Sequence, residues 1–240
     1  MPTTTGISAI PHGRPGGEVQ LATVPVFRLS SAASGDDRNG QSTPQLSALI
    51  DPDRWAIRGL ILGGRLFGES GDTGLEPYVG YRRRVGGASF AVVAFGTKMG
   101  AEKDGVTYDA TRVGGEVMGD ALLGTLGTWG QLHAGGSVAM TYLSANGTYC
   151  VADTGNGRDC GDDPAQVPRV DAELSGVYTA GTLLFALDIA RRSTGVLHGV
   201  RVGAMFSAGH MPRLIDGRQQ RGDVFISGGL GLTVGFGSSE

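Results

Sequence analysis

The sequence predicts an all-β fold, a closed antiparallel up-and-down transmembrane β-barrel of eight to ten strands. In residues 224–236, apolar side chains alternate with small and polar ones, so the strand has one oily face. Glycine accounts for 43 of the 240 residues without a collagen-like period, interleaved with Val, Leu, Ile and Phe. The lysines are Lys98 and Lys103 alone, which disfavours an exterior facing water. Together these features favour a wall exposed to lipid.

The chain is predicted to form one domain. Residues 1–16, rich in Thr, Pro and Gly, are expected to be a flexible leader. The barrel is predicted over residues 17–237, and residues 238–240 form a short tail.

Strands in the first half are predicted from weaker alternation. The first covers residues 18–29, where Pro25 indicates an edge or a bulge, and a polar loop is expected at 30–53. Four further strands are predicted near residues 55–67, 75–84, 89–99 and 106–122.

The second half alternates more regularly. Its predicted strands are residues 131–142, 169–180, 183–192, 200–207 and 224–236. Their lengths suit a tilted crossing of a bilayer. The total of ten is even, as bacterial single-chain barrels require, with eight as the alternative.

The long loops conflict with this strand count. Residues 30–53, 144–168 and 211–221 would be the first, sixth and ninth connections, whereas loops on one side of a barrel share the same parity. The conflict predicts that a strand between residues 54 and 143 is wrongly merged or split.

Charge and hydropathy exclude some classes of protein. A net charge of −3 argues against a broad nucleic-acid surface, so no nucleic-acid partner is expected. No apolar run is long enough for a transmembrane helix. Residues 1–17 lack the apolar core of a secretion signal, which an exported barrel needs. Either the sequence begins after a cleavage site, or its first methionine is not the natural start, or the membrane interpretation fails.

Two cysteines, Cys150 and Cys160, lie in one polar stretch. In an oxidising compartment they are predicted to form a disulfide that closes a short loop. No further cysteine or nearby histidine completes a metal site, so neither a metal nor a cofactor is expected.

Alternation alone does not say which face meets lipid. A soluble ligand-binding barrel with an apolar interior shows the same pattern inside out. The polar face here carries Gly, Ser, Thr and Ala with few charges, which suits a narrow lumen better than a wall in water. A closed barrel also satisfies every backbone hydrogen bond, as lipid demands.

On this pattern, strongest in residues 131–141, 169–180 and 224–236, the chain resembles the small outer-membrane β-barrel proteins of Gram-negative bacteria over residues 17–237. The resemblance implies an outer-membrane location and a non-enzymatic, structural or narrow-pore role. Loops 30–53 and 144–168 would then be exposed to lipopolysaccharide or an envelope protein partner. The aromatic girdle candidates are Trp55, Tyr78, Tyr81, Trp129, Tyr142, Tyr178 and Phe236.

Charged residues of both signs are predicted to face the lumen. They are Arg112, Glu116, Asp171, Glu173, Asp188, Arg192 and Arg201. Unpaired charges in a narrow lumen cost several kcal/mol each, so these side chains must pair. Two interpretations stay open, a salt-bridged plug and a pore lining that selects solutes by charge.

A barrel-embedded hydrolase is a third possibility. Ser207 and His210 are close in sequence, and His133 shares the polar face with Ser137, but no recognisable signature surrounds them. Acidic residues at 153–163 lack the spacing of a calcium-binding loop, which favours a solvated loop.

Overall fold

The computed structural model describes residues 16–28, 41–51, 59–69, 72–103, 106–150, 169–189, 197–215 and 218–237. The strands are β1 (Gly16–Arg28), β2 (Gln41–Asp51), β3 (Leu60–Glu69), β4 (Asp72–Val85), β5 (Ala88–Lys103), β6 (Val106–Leu126), β7 (Gly130–Cys150), β8 (Arg169–Ile189), β9 (Leu197–Ile215) and β10 (Arg218–Gly237). Among these residues we find no helix with the length and apolarity that a membrane span requires.

Each strand pairs antiparallel with its neighbours in sequence, and β1 also pairs with β10, so the pairing order closes into a barrel. The predicted all-β, antiparallel, up-and-down arrangement is confirmed. Gly16 of β1 pairs with Gly237 of β10. We call this the lower end of the barrel, and the end at which β7 stops and β8 starts the upper end.

One strand lies inside a predicted loop. β2 pairs with β1 along its length, although residues 30–53 were expected to be irregular. Only Leu46, Ala48 and Ile50 alternate there, because the first half of β2 is polar and contains Pro44. The signal was therefore too short to indicate a strand.

Two predicted strands form a single one. β8 pairs continuously with β7, without a bulge, from Arg169 to Ile189. The sequence predicted a break because the apolar residues change parity along the strand, from even-numbered Val170 to odd-numbered Leu183.

These two errors explain the conflict over loop parity. With β2 added and β8 merged, residues 29–40, 151–168 and 216–217 join strands at the same, upper end. The prediction that the error lay between residues 54 and 143 is wrong, because β3 to β7 correspond one to one with predicted strands. The loops are also shorter than expected, since β7 extends to Cys150.

Apolar side chains cover the outside of the barrel, and the inside holds buried polar and charged side chains together with apolar ones. On β10, Leu230 and Leu232 are exposed, whereas Ser227 and Thr233 are buried. The other strands follow the same rule, with aliphatic and aromatic residues among the most exposed side chains. The alternative of a soluble barrel whose oily face points inward is wrong, because the exposed Leu, Val and Phe side chains lie on the outside.

The outer face changes character along a single row of the sheet. Val113, Tyr142 and Val177 pair side by side on β6, β7 and β8, and all three are exposed. The next outward-facing row, towards the upper end, contains Lys98, Thr111, Ser144 and Ser175. Asp109, Asn146 and Glu173 form the row after that.

We call the exposed apolar surface below this transition the apolar band. On β7 it runs from Leu132 to Tyr142, and on β8 from Val177 to Ile189. The stretch on β7 has 11 residues and that on β8 has 13, enough for the roughly 9–11 residues of a tilted transmembrane strand. Because β6, β7 and β8 each have 21 residues, they continue well above the band.

Three inward aromatic rings lie over glycines on the adjacent strand. Tyr78 pairs with Gly63, Phe95 with Gly114, and Phe225 with Gly209. A Cβ added to any of these glycines would come closer than 3.0 Å to the ring. The missing side chain thus makes room for an aromatic residue inside a narrow barrel.

Candidate functional site in the barrel lumen

Two groups of charged side chains cross the lumen at different heights. The first, which we call the middle cluster, consists of Arg65, Glu76, Phe95, Arg112 and Glu116. Glu76 is 0% exposed and forms ion pairs with two arginines. Its Oε1 lies 3.0 Å from Arg65 Nη2, and its Oε2 accepts from Arg112 Nη2.

The Phe95 ring supports both arginines of the middle cluster. Its centroid lies 5.9 Å from Arg65 Cζ and 5.6 Å from Arg112 Cζ, within the range of cation–π attraction. Arg112 Nη1 also donates to the Tyr178 hydroxyl at 3.3 Å. Glu116 is buried as well and interacts electrostatically with Arg65. Two guanidinium groups thus face two carboxylates.

The second group, the lower cluster, takes one residue from each of five consecutive strands. They are Ser89, Asp120, His133, Asp188 and Arg201. His133 lies between the two carboxylates, with Nδ1 3.2 Å from Asp120 Oδ2 and Nε2 3.2 Å from Asp188 Oδ2.

Arg201 joins the same two carboxylates from the opposite direction. It binds Asp188 through Nε and through Nη2, the latter at 2.9 Å, and its Nη1 lies 3.4 Å from Asp120 Oδ2. The Ser89 hydroxyl donates to Asp120 Oδ1. The lower cluster therefore connects β5 to β9 across their lower ends.

Apolar side chains also fill the lumen. The buried apolar core consists of Ala22, Ile61, Ala91, Val93, Met118, Leu184, Ala186 and Met205. Tyr78 packs against it, and its hydroxyl donates to the Ala48 carbonyl at 3.1 Å. The interior is therefore occupied by packed side chains as well as by ion pairs.

Hydroxyl groups form an inward row on β7 to β10. Ser137, Thr182, Ser207 and Ser227 pair in register, and Thr182 Oγ1 lies 2.9 Å from Ser207 Oγ. His210 is exposed on the outer face, opposite in direction to Ser207. The suggested Ser207–His210 pair is wrong, because residues an odd number apart on a strand face opposite sides.

Four of the predicted lumen charges do face inward. They are Arg112, Glu116, Asp188 and Arg201. Asp171 and Glu173 are exposed, so their assignment to the lumen is wrong. They lie above the apolar band, where the outside of the strand meets water and carries the polar residues. Arg192 lies outside the described residues.

The sequence prediction missed Arg65, Glu76, Asp120 and His133 as members of the two clusters. Alternation contains a signal for some of them. Glu76 lies between the outward-facing Leu75 and Pro77, and Asp120 is four residues from Glu116, which places both on one face of β6.

The predicted aromatic girdle is divided. Trp129 and Phe236 are exposed towards the lower end, together with Tyr81, and Tyr142 is exposed at the upper limit of the band. Tyr178 is 4% exposed and belongs to the lumen, where it accepts from Arg112, so its placement in the girdle is wrong. Tyr78 also faces inward. Trp55 lies outside the described residues.

The described residues include only one of the two cysteines of the predicted disulfide. Cys150 ends β7, but Cys160 and the acidic residues at 153–163 lie outside the described residues, so the disulfide stays a prediction. In the described part of the chain, no group of three or more His, Cys, Asp or Glu side chains is placed to hold a metal ion.

No family model matches the chain, and no curated protein matches its sequence. Among solved structures, Neisserial surface protein A is 14% identical with a TM-score of 0.39, covering 92% of this chain and 96% of that one. Ail of Yersinia pestis, solved with the heparin analogue sucrose octasulfate, is 10% identical with a TM-score of 0.32, covering 93% and 100%. The P. putida toluene transporter TodX is 9% identical with a TM-score of 0.28, covering 96% and 91%.

Proposed function

We propose that this protein is an outer-membrane barrel with a structural role, whose lumen is closed by ion pairs and whose upper strands and loops meet an envelope partner. One observation carries the proposal: the outside of the barrel is apolar at the height where the inside holds buried, paired charges. This distribution is the reverse of a water-soluble protein.

The apolar band is too extensive for water. Soluble monomers rarely expose contiguous apolar patches larger than a few hundred Å². Here exposed Leu, Val and Phe side chains occur on the strands all around the barrel. For each side chain, contact with water instead of lipid would cost a free energy of roughly 25 cal/mol for every Å² of apolar surface. Lipid is therefore the medium that suits this surface.

The lumen is closed rather than open. The middle cluster joins β3, β4 and β6, and the lower cluster joins β5 to β9. Barrels of about eight strands have interiors that side chains can fill. In this ten-stranded barrel, the ion pairs of the two clusters and the apolar core occupy the interior. A salt-bridged plug therefore fits better than a charge-selective pore.

The charges on the upper surface indicate what kind of partner it would bind. Above the band, Asp109, Asp171 and Glu173 are exposed, and Lys98 pairs with Asp109 at 3.0 Å. The carboxylates of Asp171 and Glu173 repel the phosphates of lipopolysaccharide, whereas the charge of Asp109 is offset by Lys98. Of the two partners that the sequence suggests, a basic surface on an envelope protein is the better match.

The first test is extraction and gel mobility. We expect the protein to need detergent for extraction from membranes and to migrate differently on gels before and after boiling. Recovery with soluble proteins in the absence of detergent would contradict the membrane location.

The second test is single-channel recording in a planar bilayer. We expect no conductance steps from the natural protein, because both clusters span the lumen. A variant that truncates both, with Glu76→Ala, Arg112→Ala, Asp120→Ala and Arg201→Ala, should give steps. Regular steps from the natural protein would show an open pore and contradict the closed lumen.

A further inference from the structure

The seam between β4 and β5 is joined by backbone pairing only in its lower part. The pairs run from Val85 with Ala88 up to Tyr78 with Phe95. Above that point, residues 72–77 continue beside β3, and residues 96–103 continue beside β6. Within the described lengths of β4 and β5, no backbone pair joins these two segments, which we call the upper seam.

Pro77 lies at the point where the ladder stops. Proline has no backbone N–H and cannot donate to a neighbouring strand. On β5, two residues beyond Phe95, the Thr97 hydroxyl donates to the Leu75 carbonyl at 2.6 Å. A side-chain hydrogen bond thus replaces part of the missing ladder.

A second connection crosses the upper seam inside the lumen. Glu76 points inward from β4 and binds Arg112, which belongs to β6. Since β5 lies between β4 and β6, this ion pair crosses the seam on its lumen side. Among the described residues, these two contacts across the upper seam each depend on a side chain.

The upper seam borders the apolar band on its β4 side. Leu75 is 59% exposed and continues a row of outward leucines, Leu46 and Leu66, on β2 and β3. In lipid, each backbone group without a partner costs several kcal/mol, and barrels normally pair every strand for this reason. On its β4 side the upper seam thus lies at the upper limit of the apolar band, whereas Lys98 on its β5 side belongs to the polar row above the band. The pairing of β8 with β9 likewise ends below their upper ends, at Thr179 with His210.

We propose that the upper seam is a lateral gate between the lumen and the bilayer, held shut by the Thr97 hydroxyl and the Glu76–Arg112 ion pair. Separation of residues 72–77 from residues 96–98 opens the polar interior sideways while the lower cluster still closes the lower end. The inference rests on the membrane location in the proposed function, but not on the nature of the partner.

The test uses a reporter thiol in the lumen. Ala139 is buried and pairs with Glu116 of the middle cluster, so Ala139→Cys places the thiol behind the seam. Cys150→Ser and Cys160→Ser remove the natural thiols. The full chain is placed in lipid vesicles, and alkylation of the reporter by N-ethylmaleimide is followed by mass spectrometry.

Two disulfide staples distinguish the gate from other routes. Leu75→Cys with Lys98→Cys joins the upper seam, because these positions continue the register of the paired part. Tyr81→Cys with Val92→Cys joins the lower part, where the strands are already paired. We expect the upper staple to abolish alkylation, reduction to restore it, and the lower staple to leave it unchanged.

A substitution tests the hydrogen bond of Thr97 across the seam. Thr97→Val keeps the shape of the side chain but removes the donor, and the loss of one hydrogen bond should speed alkylation by about fivefold. Thr233→Val, at a buried position on β10, is the matched control and should change the rate little.

Three results would overturn the gate. Alkylation that is equal with and without the upper staple means that the reagent enters through an end of the barrel. A Thr97→Val effect no larger than that of Thr233→Val would show that the Thr97 hydroxyl does not hold the seam shut. A reporter that reacts only after unfolding shows a seam that stays shut. Each is obtained on protein already shown to lie in vesicles, so it leaves the proposed membrane location intact.

Discussion

Glu76 shows how a charged side chain persists inside this barrel. Its carboxylate has lost all contact with solvent, and each of its oxygens faces a different arginine. Burial of an ion is costly, and the attraction of a buried pair roughly compensates for it when the geometry is good. Removal of one partner is a different matter, because the remaining charge keeps its desolvation penalty.

Arg112→Ala should therefore lower the free energy of unfolding by about 3–5 kcal/mol. Arg112 is 2% exposed, and its loss deprives both Glu76 and Tyr178 of a donor. Urea unfolding in lipid vesicles, followed by tryptophan fluorescence, measures the change. Lys98→Ala is the control, because the Lys98–Asp109 pair is exposed and should contribute about 1 kcal/mol or less. Equal effects of the two substitutions would contradict the buried ion pair.

Sequence reasoning identified about half of the lumen charges, for a physical reason. Arg112 and Arg201 lie in stretches whose outward neighbours are apolar, so their inward direction could be predicted. Asp171 and Glu173 were misassigned because alternation does not reveal where the strand leaves the membrane. His133 was noticed, but its position between Asp120 and Asp188 depends on the pairing register of β6, β7 and β8, which alternation does not reveal.

At the scale of strands, small residues decide where large ones fit. Gly114 and Phe95 are paired partners on β6 and β5, and the ring occupies the space of the absent side chain. The same ring contacts both arginines of the middle cluster. The glycine therefore positions the cluster through the ring.

Gly114→Ala should lower the free energy of unfolding by about 1–3 kcal/mol, because the new Cβ overlaps the Phe95 ring and the Met140 carbonyl oxygen. Gly181→Ala is the matched control. It lies on the outer face of β8, and its added Cβ would meet nothing closer than 4.0 Å. It should be neutral or slightly stabilising, since alanine has less freedom than glycine in the unfolded chain. The same urea titration compares the two variants, and an equal loss in both would exclude the ring as the cause.

Element boundaries followed the strength of the alternating pattern. β10 alternates along its lipid-facing length, and residues 224–236 were predicted as a strand. β2 has only three alternating apolar residues and was missed. The two mistakes compensated numerically, so the count of ten agreed while the loop parity did not. Loop parity was therefore the more sensitive indicator of error.

For the molecule as a whole, the apolar band fixes the depth at which the barrel lies. Leu183 is midway between Val177 and Ile189 on β8 and is 62% exposed. Glu173, on the same strand and the same outer face, lies above the band. These two positions report on different surroundings within one strand.

Leu183→Arg should destabilise the folded state in vesicles by about 2–4 kcal/mol, the cost of an arginine at the bilayer midplane. Glu173→Arg should change the stability little, since the side chain stays in water. Gel mobility of unheated samples after graded urea treatment measures both. A small, equal effect at the two positions would mean that the outer wall does not face lipid.

The last strand determines when the wall is complete. β10 has 20 residues and is the only described partner of β1 on that side, so residues near 16 and 237 must meet across almost the whole chain. Until β10 arrives, β1 and β9 each present an open edge that nothing in hydrocarbon can hydrogen-bond. Insertion into the bilayer is thus expected to require the pairing of β10 with β1. A chain truncated before β10 is expected to remain outside the membrane as an open sheet.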